Sequence, residues 1–234
     1  MNFGITEISE SDMPEELGKI EKPAADEFKN GRKLFFVPLV FSGRELPTEF
    51  TDIYNRYWDQ VESQISGLEA KLGPVNRIFH ELVPESGEEG LKTLQQISSN
   101  SLLISKKRIE KGAVFEAVED SETLSELMDW SRCLSIGLQS QKVFSTIHGF
   151  YNEVVKKRNE SISKKLDELL KENESAILIM GEGHHIQFPP DIRVFYVAPP
   201  ALDELKRWMR DYEAKQKEQA SKDTDQPADL SKEA

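Results

Sequence analysis

"KLFFVPLVF", residues 33–41, decides the fold. Its composition is that of a buried β-strand. Pro38 cannot donate to a ladder, which favours an edge position or a bulge. A loop, SGREL, leads from it into "PTEFTDIYNRYWDQVESQISGLEAKLG", where Phe50, Tyr54, Tyr57, Val61, Ile65, Leu68 and Leu72 step by three and four. That spacing predicts one long amphipathic helix, closed by Gly73-Pro74. "VNRIFHELVP" (75–84) follows as a second strand. Strand, long helix, strand is a crossover unit; it joins parallel strands and predicts an α/β fold.

The alternation continues along the chain. Residues 88–111 read as helical, in two pieces broken near Ser98-Ser99-Asn100-Ser101, and "GAVFEAV" (112–118) is a third short strand. "EDSETLSELMDWSRCL" opens with acids in its first turn and reads as a helix. Over 141–173 the positions Phe144, Ile147, Tyr151, Val155, Arg158, Ile162, Leu166 and Leu169 keep helical spacing for about eight turns. "SAILIM" (175–180) is a fourth strand and "DIRVFYV" (191–197) a fifth, and Pro199-Pro200 starts the last helix. No internal repeat recurs at solenoid periods. The expected architecture is a mixed, largely parallel central sheet of about five strands flanked by long helices. It forms a single α/β domain over 31–210, with an acidic N-terminal segment (1–30) and a disordered acidic tail (211–234).

Composition bounds the function. Of 234 residues, 38% are hydrophobic and 31% charged, enough to bury a core within a polar, soluble chain. The formal net charge is −12, but residues 1–27 carry −6 of it and 211–234 another −3, so the middle is near neutral. Without a basic stripe, nucleic acid and anionic membrane surfaces are not expected partners. No apolar run approaches the roughly 18–20 residues of a membrane span. The start, MNFGITEISESDMPEE, lacks the basic and apolar regions of a signal peptide, so a cytoplasmic location is expected. The single cysteine, Cys133, excludes an internal disulfide and sits in a helical context that favours a buried, inert thiol.

The stretch with the most chemistry is "ILIMGEGHH" (177–185), an apolar run that stops at Gly-Glu-Gly and sets His184 beside His185. It is not a dinucleotide loop, because no helix N-terminus follows to hold phosphates, and there is no Walker lysine. "HELVP" is not HExxH, since Pro84 stands where the second histidine belongs. Strand ends are nevertheless where open α/β sheets bind ligands, and both "FHELVP" and "GEGHH" lie there. His80 or Glu81 with His184 or His185 could contribute to a metal site, only one member of each pair facing any one side. The plainer readings are a tight turn, with Gly181 and Gly183 at positive φ, and solvated histidines. Arg158 stands in an otherwise apolar stripe, either snorkelling to its edge or turned inward onto a buried carboxylate. His148, at the margin of that stripe, reads as partly buried.

Taken in order, Glu81 in "HEL", Arg158-Asn159 in "KKRNESISKKLDELL" and Gly181-x-x-His184 in "AILIMGEGH" resemble the TraB/PrgY superfamily, related to ChaN-like haem-binding and erythromycin-esterase-like proteins. The resemblance spans roughly residues 33–197. It implies a metal-dependent hydrolase in some members and a binding role in others. One departure is clear: the first Gly-x-x-His motif should follow the opening strand, and "VPLVFSGRELP" offers Gly43 but no histidine.

The reading with most support is therefore an α/β protein that binds a small ligand at a polar strand-end pocket of Glu81, Arg158, Glu182 and His184, with little or no catalysis. A second reading is a metal-dependent hydrolase of TraB-like type. Its divalent metal would be held by His184, Glu81 and His185, yet only two of these are well-motivated ligands where three are needed. A third is an interaction protein that recruits protein partners through its acidic ends.

Overall fold

The computed structural model describes residues 28–41 and 47–224, with side chains to residue 219. Five strands, β1 (Arg32–Pro38), β2 (Val75–His80), β3 (Val114–Phe115), β4 (Ser175–Met180) and β5 (Ile192–Tyr196), form one sheet in the order β3-β2-β4-β1-β5. Six helices accompany them: α1 (Thr48–Leu72), α2 (Gly87–Ile97), α3 (Ser99–Ile109), α4 (Ser121–Ser135), α5 (Gln141–Leu169) and α6 (Pro200–Thr224). Every strand pairing is parallel, so the sheet is not mixed. The fold is α/β, and each connection is a crossover.

Pro38 does not put β1 at an edge, because β1 lies between β4 and β5. The reason is positional. Leu39 N–H donates to Met180 O on β4, so alternation turns the neighbouring Pro38 nitrogen toward β5. The ladder with β5 runs on to the bond from Val197 N–H to Phe36 O, and the donor due next is residue 38, so pairing with β5 stops where proline has no N–H.

Strand alternation builds two cores. Phe35 and Val37 of β1 face α1, which contributes Phe50, Tyr57, Val61 and Ile65, all buried. Helix α6 packs beside α1, with Phe50 and Trp208 ring centroids 5.0 Å apart. Leu34 and Phe36 face the opposite side, where Ile162 and Leu166 of α5 cover them. Burying each such side chain contributes about 1.5–3 kcal/mol. The chain from β4 to β5 crosses this second face without a helix, as the extended segment 181–191, and Ile186 from it enters the core.

The break between α2 and α3 falls at Ser98, whose hydroxyl caps the second helix by accepting Ser101 N–H. Gly90 brings α2 against β3: a Cβ there would lie 2.3 Å from Glu85 O and 2.7 Å from Phe115. Buried Arg108 ties α3 to α1 through Glu62 and Glu69, the latter at 3.0 Å.

Helix α5 is longer than the sheet is deep. Its 29 residues span about 43 Å at 1.5 Å per residue, whereas the six residues of β4 span about 20 Å. Its C-terminal half lies on the sheet; its first half projects past the strand ends, paired with α4 as a helical hairpin. The apolar stripe read from the sequence is accordingly buried only in part. Ile162 and Leu166 are inaccessible, but Phe144 and His148 are exposed, because no sheet lies under them. Cys133, on α4, is half-buried. The last helix also corrects an expectation, since α6 continues to Thr224 through much of the segment read as a disordered tail. The N-terminal acidic segment to residue 27 and residues 225–234 lie outside the described residues, as does the loop 42–46 with Gly43.

Candidate functional site

Two strands deliver carboxylates to one end of the sheet, and a third delivers a backbone N–H donor. Glu81 follows β2 directly, its N–H still in the ladder with Ile179 O at 2.9 Å. Leu82 then takes a positive φ of 66°, which turns the chain sharply away from the strand. Glu119 follows the short β3, just before Asp120 caps α4 by accepting Thr123 N–H. Gly181 follows β4. Arg158 reaches them from α5 at the level where the strands stop.

The inward alternative for Arg158 is the one found. Its Nε donates to both oxygens of Glu119, at 3.2 and 3.0 Å, and Nη2 bonds Glu119 Oε1 and, at 2.9 Å, Glu81 Oε1. Backbone donors complete the network: Gly181 N–H bonds Glu81 Oε2 at 2.7 Å and Leu82 N–H bonds Glu119 Oε1 at 3.2 Å. The Glu119 side chain is wholly buried and that of Arg158 is 11% exposed. Burial opposes the guanidinium charge, but Glu119 and then Glu81 outweigh it and hold the Arg158 pKa above its ordinary value. Lys165 adds a bond to the Glu119 carbonyl.

His184 lies beside this network. Its ring packs on Phe36, centroids 4.9 Å apart, and on Phe188 at 5.5 Å. Nδ1 accepts Ile186 N–H at 3.2 Å, so the neutral ring carries its proton on Nε2, which meets no hydrogen-bond partner among the described residues. Burial lowers the His184 pKa, opposed by the negative charge of Glu81. The ring is therefore neutral at physiological pH, and its free edge is a single N–H donor. Gly181 and Gly183 do not take positive φ, so the turn is made without the left-handed glycines expected of it.

The other predicted residues go elsewhere. Glu182 turns toward β5 and α6, accepting bonds from Tyr196 Oη and from Lys206 Nζ at 2.7 Å. Burial would raise its pKa, but Lys206 and Tyr196 outweigh that and lower it. His185 faces away from Glu81 and lines a groove of about 860 Å³ between α5 and the crossover, with Asn152, Asn159, Ser163 and Pro189. His80 points into the α1-side core, 1% exposed, with Nδ1 bonded to the Glu81 carbonyl and Nε2 buried without a partner.

Sequence reasoning thus brought Glu81, Arg158 and His184 together and missed Glu119. A signal existed: "VED" sets two acids at a strand end where capping the helix uses only Asp120. Among the described residues, no group of three or more His, Cys, Asp or Glu side chains is placed to hold a metal ion. Glu81 in particular has both oxygens engaged, one by Arg158 and one by Gly181. Compared with family models, curated proteins and solved structures, the chain matches none.

Proposed function

We propose that the chain binds a small polar ligand above the Glu81–Arg158–Glu119 network, with His184 as the group that contacts it. The observation that carries this reading is the contrast between a saturated floor and an unsatisfied rim. The three charged side chains spend their hydrogen bonds on one another and on backbone N–H groups, which costs desolvation that a purely structural strand end does not require. Beside them, His184 offers one unpaired Nε2–H next to the exposed Tyr196 ring, which stacks on Phe36 at 5.2 Å. A neutral donor beside aromatic faces suits a hydrogen-bond acceptor, such as a carbonyl or hydroxyl, carried on a planar or apolar body.

The floor is suited to holding shape rather than to chemistry. Arg158 is locked, and Glu81 would have to give up two partners before it could act as a base or a metal ligand. Glu182 belongs to the rim through Tyr196 and Lys206, not to the floor. The resemblance to TraB/PrgY-like proteins agrees with a binding role, given the absent first histidine.

The test is a thermal-shift screen of small carbonyl- and hydroxyl-bearing compounds on the wild-type protein and on His184→Ala. Compounds that raise the melting temperature of the first and not the second support the reading. A hit that stabilises both equally would place the ligand elsewhere. Elemental analysis of purified protein runs beside it; near-stoichiometric metal lost in His184→Ala would favour the hydrolase instead.

A further inference from the structure

We propose that the groove between α5 and the 181–191 crossover is a second binding site, and that its ligand is an uncharged peptide segment bound in extended conformation. The groove measures about 860 Å³, within the size range of ligand sites in general. It is separate from the strand-end network, since His185 lines it and His184 does not. The α5 wall runs from Asn152 to Asp167, about 22 Å at 1.5 Å per residue. About six or seven residues of extended chain cover that distance at 3.3 Å each.

Both walls repeat at the interval of such a chain. On α5, Val155, Asn159, Ser163 and Asp167 line the groove at four-residue steps, about 6 Å apart. Along the crossover, Ile186 is buried and Phe188 packs against the same core, so His185, Gln187 and Pro189 turn outward into the groove. Their spacing is two residues of extended chain, about 6.6 Å. Alternate side chains of a peptide laid between the walls recur at the same distance. The walls are also fastened to each other. Ser163 Oγ donates to the Gln187 carbonyl at 2.6 Å, and at the end nearer β5 Arg32 joins Asp167, at 2.7 Å, to Asp191, at 2.6 Å. A site already in shape spares binding the cost of ordering it.

The lining chemistry selects the ligand. Lys156 and Lys164 stand against Glu160 and Asp167, so the groove carries no net charge and favours neither a polyanion nor a polycation. The Asn159 and Gln187 amides meet no hydrogen-bond partner among the described residues, and Asn159 is half-buried. These two amides, one on each wall, each set a carbonyl acceptor beside N–H donors. A backbone peptide group, with one donor and one acceptor, is their complement. No Phe, Tyr or Trp lines the groove, so a nucleobase or a sugar ring finds no aromatic face to stack on. Val155 and Pro189 supply apolar contact for the side chains of a peptide. The proposal does not depend on what the strand-end site binds.

The test is an array of end-blocked heptapeptides lacking Asp, Glu, Lys and Arg, probed with the full chain. Hits are then titrated in solution against isotope-labelled protein, beside maltoheptaose and the all-Glu and all-Lys heptapeptides. The expected hits shift the side-chain amide resonances of Asn159 and Gln187. Asn159→Leu and Gln187→Ala, on opposite walls, each weaken them about tenfold at unchanged melting temperature. Should Asn159→Leu lower the melting temperature, Gln187→Ala, at an exposed position, decides alone. Val194→Lys, on the exposed edge strand β5 where an extended peptide could instead add to the sheet, leaves the affinity unchanged. An array without a hit overturns the proposal. So do hits that keep their affinity in the wall variants, or that lose it in Val194→Lys. Tighter binding of a charged heptapeptide, or maltoheptaose shifting the same resonances, assigns the groove to another chemistry and overturns it as well.

Discussion

Arg158 and Glu119 hold each other where neither meets appreciable solvent: the guanidinium Nε bonds both carboxylate oxygens, and Nη2 doubles the contact. The two residues belong to one crossover, Glu119 at its start after β3 and Arg158 in α5, so their pairing fixes where the helix crosses the strand ends. An inward arginine in an apolar stripe is tolerated here because the stripe passes from the sheet to open space at that turn.

Replacing Arg158 with Ala leaves Glu119 buried without a cation. The expected loss is about 3–5 kcal/mol of folding stability, read by chemical denaturation at neutral pH. Arg158→Lys recovers only part of it, because an ammonium cannot take both edges of the carboxylate. An alanine variant that melts with the wild type would show that the network contributes nothing to stability.

Glu81 and Glu182, paired in the sequence reading, should separate on mutation. Glu81 is 16% exposed and bonds a guanidinium and a backbone N–H. Glu81→Gln should cost about 2 kcal/mol, in the range of hydrogen bonds to charged groups. Glu182 is about a third exposed beside the half-exposed Lys206 side chain, and Glu182→Gln should cost less than about 1 kcal/mol. Equal losses in paired denaturation curves would mean that the two carboxylates belong to one network after all.

How far the sequence could be read depended on range. Periodicity carried the strands and helices, since each apolar position reports its own neighbourhood. The parallel crossover from "KLFFVPLVF" to "VNRIFHELVP" was legible for that reason. Strand order was not, because nothing local says that β1 sits between β4 and β5. Pro38 misled by the same route, as its effect depends on which neighbour its nitrogen faces. At the site, Glu81, Arg158 and His184 were visible as charges in odd places. Glu119 was hidden beside a capping aspartate, and Glu182 was misplaced because alternation past a strand end no longer holds. The burial of Phe144 was overestimated since a helix carries no record of where its sheet stops.

Gly90 offers a test of packing far from the site. A methyl group there would meet backbone oxygen at 2.3 Å and the Phe115 ring at 2.7 Å, and the backbone cannot yield as a side-chain tip would. Gly90→Ala should destabilise by roughly 2–3 kcal/mol through overpacking, despite the better helix propensity of alanine. Gly181→Ala, whose nearest contact is the Glu81 carboxylate at 3.3 Å, should cost much less. A Gly90→Ala variant of wild-type stability would mean that α2 can move off β3 freely.

The last prediction concerns pH. Burial pushes the His80 pKa down to about 4, against a smaller opposing pull from the Glu81 carbonyl. In the unfolded chain the ring takes up a proton near pH 6.5, while the folded protein keeps it neutral until about pH 4. The unfolded state therefore binds more protons between those values, and stability falls as pH falls through that window. From pH 7 to pH 5 the loss attributable to His80 is about 2 kcal/mol. His184, also lowered by burial, adds a loss of the same sign. His80→Phe removes the His80 part and keeps the rest, so its stability should drop by about 2 kcal/mol less over that interval. Denaturation at the two pH values, with His184→Ala as a second variant, separates the contributions. An undiminished loss in His80→Phe would mean that the buried ring is already protonated in the folded protein, with its unpartnered Nε2 satisfied by a group such as bound water.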